Sequence, residues 1–583
     1  MNLDVLLRIG LAGAMLWMGW DVCQAAEAAT SASASTPASI AAPASATASA
    51  PVITAHQLFQ QHCASCHGEQ RTGGMGPALL PVSLERLRKA EALKVITAGR
   101  PATQMPAFGD KLDDNQIRQL ADWIYSPVSP PPNWADDDIR ASRVADATSP
   151  SGSQAKANKA DQADKTDKTG RADKPVWQAD PLNIFIVVEG GDHHVSIVDG
   201  DKLEVIHRFP SRFALHGGPK FSPDGRYVYF GSRDGWITKY DLWRLRTVAE
   251  VRAGLNMRNV AVSSDGRWVL AGNYLPGNVV LFDADLQLVR SYPATSLDGK
   301  AGSRVSAVYD AAPRRSFVIA LKDLPELWEI SYNPKAEPIH DGYVHDFRMG
   351  EAIAKPGFLG IRRTPLAQPL DDFFFDPAYR HVIGAARPQA IARPAASGAS
   401  SPEQAEPSAQ VINLDARQRV ASLPLPGMPH LGSGISFQHQ GHPVLATPNL
   451  QQGLVSVIDM KTWQIIKQIP TPGPGFFMRS HENSRYLWTD SMMSPQARNT
   501  LTIIDKTTLS PVAEVKAPES QTLAHIEFTR DGRYALASLW EMNGALIVYD
   551  AATLKEVKRL PMSKPVGKYN VFNKITRSEG TSH

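Results

Sequence analysis

Two fold classes in tandem are predicted: a small all-α unit at residues 52–127 and, over residues 177–583, an all-β eight-bladed propeller. Three observations carry this prediction. A Cys63-Ala64-Ser65-Cys66-His67 motif sits among segments of helical periodicity. A short apolar strand ending in Asp recurs, mostly every 42 to 48 residues, through the remainder of the chain. Stretches rich in Ala, Ser and Pro, or in Lys and Asp, separate the parts.

The α unit comes first. Two thiols three positions apart match the two vinyl groups of one porphyrin, and the adjacent His67 supplies a nitrogen to its iron. A zinc site would need a second ligand pair, and the chain holds only three cysteines, the third being Cys23. The motif is therefore read as covalent attachment of haem c through Cys63 and Cys66, with His67 as proximal ligand. Residues His56–Gln61 form a short amphipathic helix leading into it. Residues Asp113–Tyr125 place Ile117, Leu120, Trp123 and Ile124 at helical spacing, one face for packing on the haem helix. Met105, on an irregular segment before Pro106, is the expected sixth ligand, since a thioether suits low-spin haem. Residues 52–127 resemble a class I cytochrome c.

The segments around this unit are simple in composition. Met1–Ala26 has Arg8, an apolar run and small residues near Ala25 and Ala26, the pattern of an export signal. With covalent haem it points to a bacterial periplasm, and it is too short to remain as a membrane span. Residues 27–51 are an Ala/Ser-rich tether, residues 128–176 a disordered linker, and 388–410 an insert loop. The linker leaves the docking of the two folded units undefined. A formal net charge of +3 over 583 residues argues against a nucleic-acid partner or a membrane surface.

From Trp177 onward the repeat sets the architecture. VSIVD (195–199), ITKYD (237–241), VVLFD (279–283), VINLD (411–415), VSVID (455–459), LTIID (501–505) and LIVYD (546–550) are copies of one strand, and LWEIS (327–331) is a degenerate eighth. Strand–turn–strand units with Asp-Gly at the corner precede several of them, as in FSPDGRYVYFGS (221–232). Eight copies at this period fit eight four-stranded blades. No 3.6-residue periodicity supports a helical solenoid.

His216, Arg258, Arg304, His430 and His525 share a phase in the repeat, six to ten residues before each corner. In a propeller that phase crowds one mouth of the central channel. Each alone could cap a strand. Together they point to a ligand site in which imidazoles hold a metal and guanidiniums meet carboxylates, as an iron tetrapyrrole requires.

An N-terminal cytochrome c joined to an eight-bladed propeller resembles the cytochrome cd1 family. Ala214-Leu215-His216-Gly217-Gly218-Pro219, followed by Tyr229–Gly235, is similar to that family's proximal haem d1 segment, implying His216 as iron ligand. Pro429-His430 with Gly432-Ser433-Gly434 is similar to its distal histidine segment. The ending, Gly567-Lys568-Tyr569-Asn570-Val571-Phe572-Asn573 to His583, is closest to the branch that oxidises dihydro-haem d1. That resemblance implies a second iron-ligating histidine, placed at His525 by its position in the blade. His345 matches the nitrite reductases' other distal histidine only loosely.

The activity so implied is oxidation of one propionate of dihydro-haem d1 to the acrylate of haem d1, with electrons leaving through haem c to a soluble periplasmic acceptor. His430 is the expected base and Tyr569 the second catalytic residue. Arg258, Arg304 and, more weakly, Arg233 would neutralise tetrapyrrole carboxylates. Nitric oxide-forming nitrite reduction and a non-catalytic haem d1 carrier are the alternatives. A protein that delivers haem d1 and the nitrite reductase itself are the possible protein partners.

Overall fold

Alternation of apolar and polar residues in each repeat produces an antiparallel sheet, and the computed structural model arranges eight such sheets in chain order. It describes residues 53–73, 76–84, 87–99, 105–145, 174–215, 217–340, 354–386, 409–577 and 579–580. The export signal, the tether, residues 146–173, the insert at 388–408, His216 and His345 lie outside these residues.

Among the described residues seven blades have four strands and one has five. The degenerate repeat at 327–331 occupies the third strand of its blade, Glu326–Ser331, like its regular counterparts. The first blade is completed by the end of the chain: Pro565–Asn570 pairs antiparallel with Ile184–Glu189, setting Tyr569 opposite Ile186 and Lys568 opposite Val187. Closure therefore carries Tyr569 onto the innermost strand of the first blade. The innermost strands of the others include Asn256–Val262, Val305–Ala311, Asp372–Phe375, Met478–Arg479 and Leu523–Phe528. A short helix, Val571–Thr576, follows the closing strand, capped by the Asn570 side chain.

The haem c unit consists of α1 (Ala55–His62), α2 (Ala64–His67), α3 (Lys89–Ala98) and α4 (Asp114–Ile124). Capping boxes start α1 at Thr54 with Gln57 and α4 at Asp113 with Gln116. The expected face of α4 does turn inward: Ile117, Leu120 and Ile124 are buried with Leu58 and Phe59 of α1. Arg71 is buried beneath Trp123, its guanidinium 4.3 Å from the ring, and donates to the carbonyls of Trp123, Ile124 and Ser126 at the end of α4. A cation is favoured there by the exposed carbonyls of a helix C-terminus.

The expectation of a disordered linker at 128–176 is corrected for its first part. Residues 136–142 form helix α5 (Asp136–Ser142), with Ile139 buried in the propeller core. Val144–Ala145 then adds a fifth strand to the second blade, against Ala249 and Glu250. Trp134 Nε1 donates to the Arg252 carbonyl at 2.9 Å, and the Arg252 guanidinium lies 5.0 Å from the Trp134 ring. The same guanidinium donates to the carbonyls of Asp234 and, in the haem c unit, Thr72. Ala78, Leu80 and Val82 pack with Leu255, Leu275, Val128 and Trp134. Docking of the two units is thus specified by a small apolar seam and one buried arginine. Composition hid it, because Trp134, Ile139 and Val144 are sparse apolar residues whose propeller partners lie far along the chain.

Candidate functional site

At the mouth of the central channel the innermost strands and the loops entering them enclose a cavity of about 740 Å³. That size lies within the range of about 300–1,000 Å³ of ligand pockets. Arg258, His430, His525 and Tyr569 all line it, so four residues singled out in the sequence meet in space. Leu215 and Gly217, the neighbours of His216, line the wall as well. Arg233 and Arg304 do not. The Arg304 guanidinium instead pairs with Asp323 at 2.9 Å, which corrects its expected place among the carboxylate-binding groups. Its phase in the repeat was right, but a local acidic partner captured it.

His430 precedes its blade in a turn whose backbone N–H bonds to the Pro448 carbonyl at 2.9 Å. Its Nδ1 lies 2.7 Å from the Phe476 carbonyl, and the Phe476 ring lies tilted against it with centroids 4.0 Å apart. A carbonyl only accepts, so Nδ1 carries the hydrogen and Nε2 keeps its lone pair. Burial lowers the His430 pKa, against the opposing charge of Asp372. The ring is therefore neutral near pH 7 and presents a free Nε2.

His525 reaches the channel by a bulge. Pairing with the next strand shifts register between Ala524 and Ile526, and His525 adopts φ +49°. Its N–H donates to Asp490 Oδ2 at 3.3 Å, while Lys568 Nζ donates to its carbonyl and lies 3.4 Å from its Nδ1. Burial, then the nearby Lys568 charge, holds its pKa well below the usual histidine value. The His525 ring meets Tyr569 edge-on with centroids 5.2 Å apart. Burial pushes the Tyr569 phenol up to about 12, so it remains a proton donor. Gly218 at φ +70° makes room for it: a Cβ there would lie 3.0 Å from Tyr569 Cε1.

Several wall residues escaped the sequence reading. Arg479, Asp372, Tyr309, Tyr274, Phe477 and Trp540 line the cavity and carry no shared repeat phase or motif. Tyr309 donates to Asp372 Oδ1 at 2.9 Å. Arg479 is buried, with Nε 3.7 Å from Glu527 Oε2.

In the haem c unit, Cys63 and Cys66 form no disulfide and lie one turn apart, Cys63 as the N-cap of α2 and Cys66 within it. His67 is buried, and its Nδ1 bonds the Pro77 carbonyl at 2.8 Å, which leaves Nε2 for a metal. Gly76 lies flat against this ring: a Cβ there would come within 2.8 Å of Cε1. Met105 packs on the same apolar core. Two adjacent thiols, an imidazole with its second nitrogen anchored, and a thioether fit a covalent haem.

A haem c unit docked on a propeller with a tetrapyrrole-sized, histidine-bearing mouth defines a class of two-haem protein. The family model described as the cytochrome D1 heme domain matches residues 179–347 and 357–574, and the chain belongs to that family. Residues 50–124 match the model of cytochrome C oxidase, cbb3-type, subunit III. The chain is 52% identical over 530 residues to a dihydro-heme d1 dehydrogenase of Pseudomonas aeruginosa, covering 90% of this chain and 95% of that protein. It is 25% identical over 588 residues to a nitrite reductase of Stutzerimonas stutzeri, covering 90% and 94% respectively. A solved structure of dihydro-heme d1 dehydrogenase NirN in complex with DHE superposes with a TM-score of 0.76 at 51% identity, covering 89% of this chain and 99% of that one.

Proposed function

We propose that this chain is a dihydro-haem d1 dehydrogenase, oxidising one propionate side chain of the tetrapyrrole to the acrylate of haem d1. The observation that carries the reading is the convergence of His430, His525, Tyr569 and Arg258 on one cavity, in a chain that also holds the haem c unit. The reaction removes two hydrogens from adjacent carbons, releasing two electrons and two protons. Bound haem c supplies a one-electron redox couple. Cys63 and Cys66 would hold it covalently, and His67 and Met105 would ligate its iron.

The geometry suggests how the cavity divides the work. His216 would ligate the tetrapyrrole iron, on the resemblance of its segment. His430 has the feature common to metal-ligating histidines, an Nδ1–H fixed on a backbone carbonyl with Nε2 free. We therefore assign it to the distal side of the iron. His525 and Tyr569, edge to face, form the proton-handling pair beside the propionate. The neutral imidazole accepts a proton, and the phenol positions the carboxyl group or relays the proton onward. This redistributes the roles expected from sequence for His430 and His525. Arg258 and Arg479 line the wall as cations for tetrapyrrole carboxylates.

The periplasm is the proposed compartment, supported by the covalent haem motif and the apolar leader. Among the described residues no helix is long and apolar enough to cross a membrane. A soluble one-electron acceptor and a protein that delivers the tetrapyrrole are the proposed partners. The test is anaerobic incubation of the ferric protein with dihydro-haem d1. With a soluble one-electron acceptor present to take both electrons in turn, loss of two hydrogens in the extracted tetrapyrrole and reduction of haem c on the way are expected. Binding without that mass change, or turnover of nitrite instead, refutes the assignment.

A further inference from the structure

Asp490 has no role in the chemistry above, yet it touches both sides of the site. It ends the strand Tyr486–Asp490 and is fully buried. Its Oδ1 accepts from the Phe476 N–H at 2.7 Å, and the Phe477 N–H is shared between both oxygens at 3.3 Å. Its Oδ2 accepts from the His525 N–H at 3.3 Å. Phe476 in turn presents the carbonyl that fixes the His430 tautomer. One carboxylate thus joins the backbone behind His430 to the backbone of His525.

The His525 end is strained. A left-handed conformation is unfavourable for a non-glycine residue. Asp490 holds the His525 N–H while Lys568 Nζ holds its carbonyl, with Ser538 Oγ as a further Lys568 partner at 2.9 Å. Hydrogen bonds to charged groups are stronger than those between neutral groups and keep such a bulge in place. A neutral polar residue would satisfy fewer of these N–H groups, since only a carboxylate offers acceptors on both oxygens.

We propose that Asp490 is the positioning residue for both cavity imidazoles: it fixes the His430 tautomer through Phe476 and, with Lys568 opposite, holds the His525 bulge. An Asn at 490 places an NH₂ donor against one of these backbone donors. The inference rests on the proposed roles of the two histidines, but its first readout needs neither tetrapyrrole nor turnover.

The experiment is ¹⁵N-histidine NMR of full-length, tetrapyrrole-free wild type and Asp490→Asn, followed by kinetics on dihydro-haem d1. Wild type should show His430 as a single Nδ1–H tautomer. The variant should show mixed tautomers at His430 and shifted His525 signals. A displacement of the order of 1 Å can cost about 100-fold in rate, so kcat should fall by about tenfold to a hundredfold with KM changed far less. Should Asp490→Asn fold poorly, Ser538→Ala, which loosens only the Lys568 side, should shift the His525 signals and leave His430 untouched. Unchanged histidine signals and an unchanged kcat overturn the proposal, whatever happens to stability. If wild type itself fails to convert dihydro-haem d1, the NMR comparison still decides the structural claim.

Discussion

The imidazole of His525 stands edge-on to the ring of Tyr569, centroids 5.2 Å apart and planes inclined at 73°. The two residues come from opposite sides of the seam that closes the propeller: His525 from the last complete blade, Tyr569 from the strand that completes the first. Burial keeps the imidazole neutral and the phenol protonated, so the pair holds one acceptor and one donor at the same wall. Tyr569→Phe keeps the packing against Gly218 and removes only the hydroxyl. Turnover on dihydro-haem d1 is expected to fall about 10²–10⁴-fold, the usual weight of a proton-transfer group. Tetrapyrrole affinity should change little. Single-turnover spectroscopy checks this, and a rate within threefold of wild type removes Tyr569 from the chemistry.

His430→Ala separates the two imidazoles. The tetrapyrrole should still enter the cavity, held by Arg258, Arg479 and the apolar walls, but the visible spectrum of its iron should change as the distal nitrogen is lost. His525→Ala should leave that spectrum alone. A reversed pattern would return iron ligation to His525 and proton transfer to His430.

Acid stability follows from buried histidines, and His481 tests it away from the cavity. It is 1% exposed and bonded to the Arg530 carbonyl at 3.1 Å, with its pKa lowered chiefly by burial. A histidine whose folded pKa lies below its unfolded value of about 6.5 takes up protons preferentially in the unfolded chain. Its contribution is therefore present above about pH 6.5 and is lost as pH falls through the folded pKa. Asp490, raised to about 6 by burial, has the opposite sign: its contribution is present at low pH and declines as pH rises through about 6. Urea melts from pH 8 to 5 should show His481→Gln losing less stability on acidification than wild type. Equal slopes would mean that His481 is not buried neutral.

Arg252→Ala addresses docking of the haem c unit. The substitution removes the donor to the Thr72 and Asp234 carbonyls and the cation beneath Trp134. Leaving buried carbonyls unsatisfied costs about 1–3 kcal/mol. Residues 128–145 should become more readily cleaved by protease, while tetrapyrrole binding in the propeller is retained. Unchanged cleavage would show that the apolar seam around Leu255 and Leu80 is sufficient.

Much of the architecture was legible because it is written in local periodicity. The strand ending in Asp marks the third strand of each blade, and even the degenerate copy at 327–331 took its expected place. The haem c motif needs only five consecutive residues. Of the site, His430, His525, Arg258 and Tyr569 were found through repeat phase or resemblance, and all four line the cavity. Arg304 shared the phase and still turned to Asp323, because phase specifies a position on a strand and leaves the side chain free to choose its nearest partner.

The sequence by itself determined the two fold units, the number of blades, the haem attachment and four of the residues that line one mouth of the channel. These depend on spacings within a repeat or a motif. Only the tertiary structure decided which nitrogen of His430 is free, how Asp490 and Lys568 clamp His525, and where the haem c unit docks. Those are contacts between residues 35 to 180 positions apart. No periodicity records them, since each exists only once ring closure and burial bring the partners within hydrogen-bonding distance.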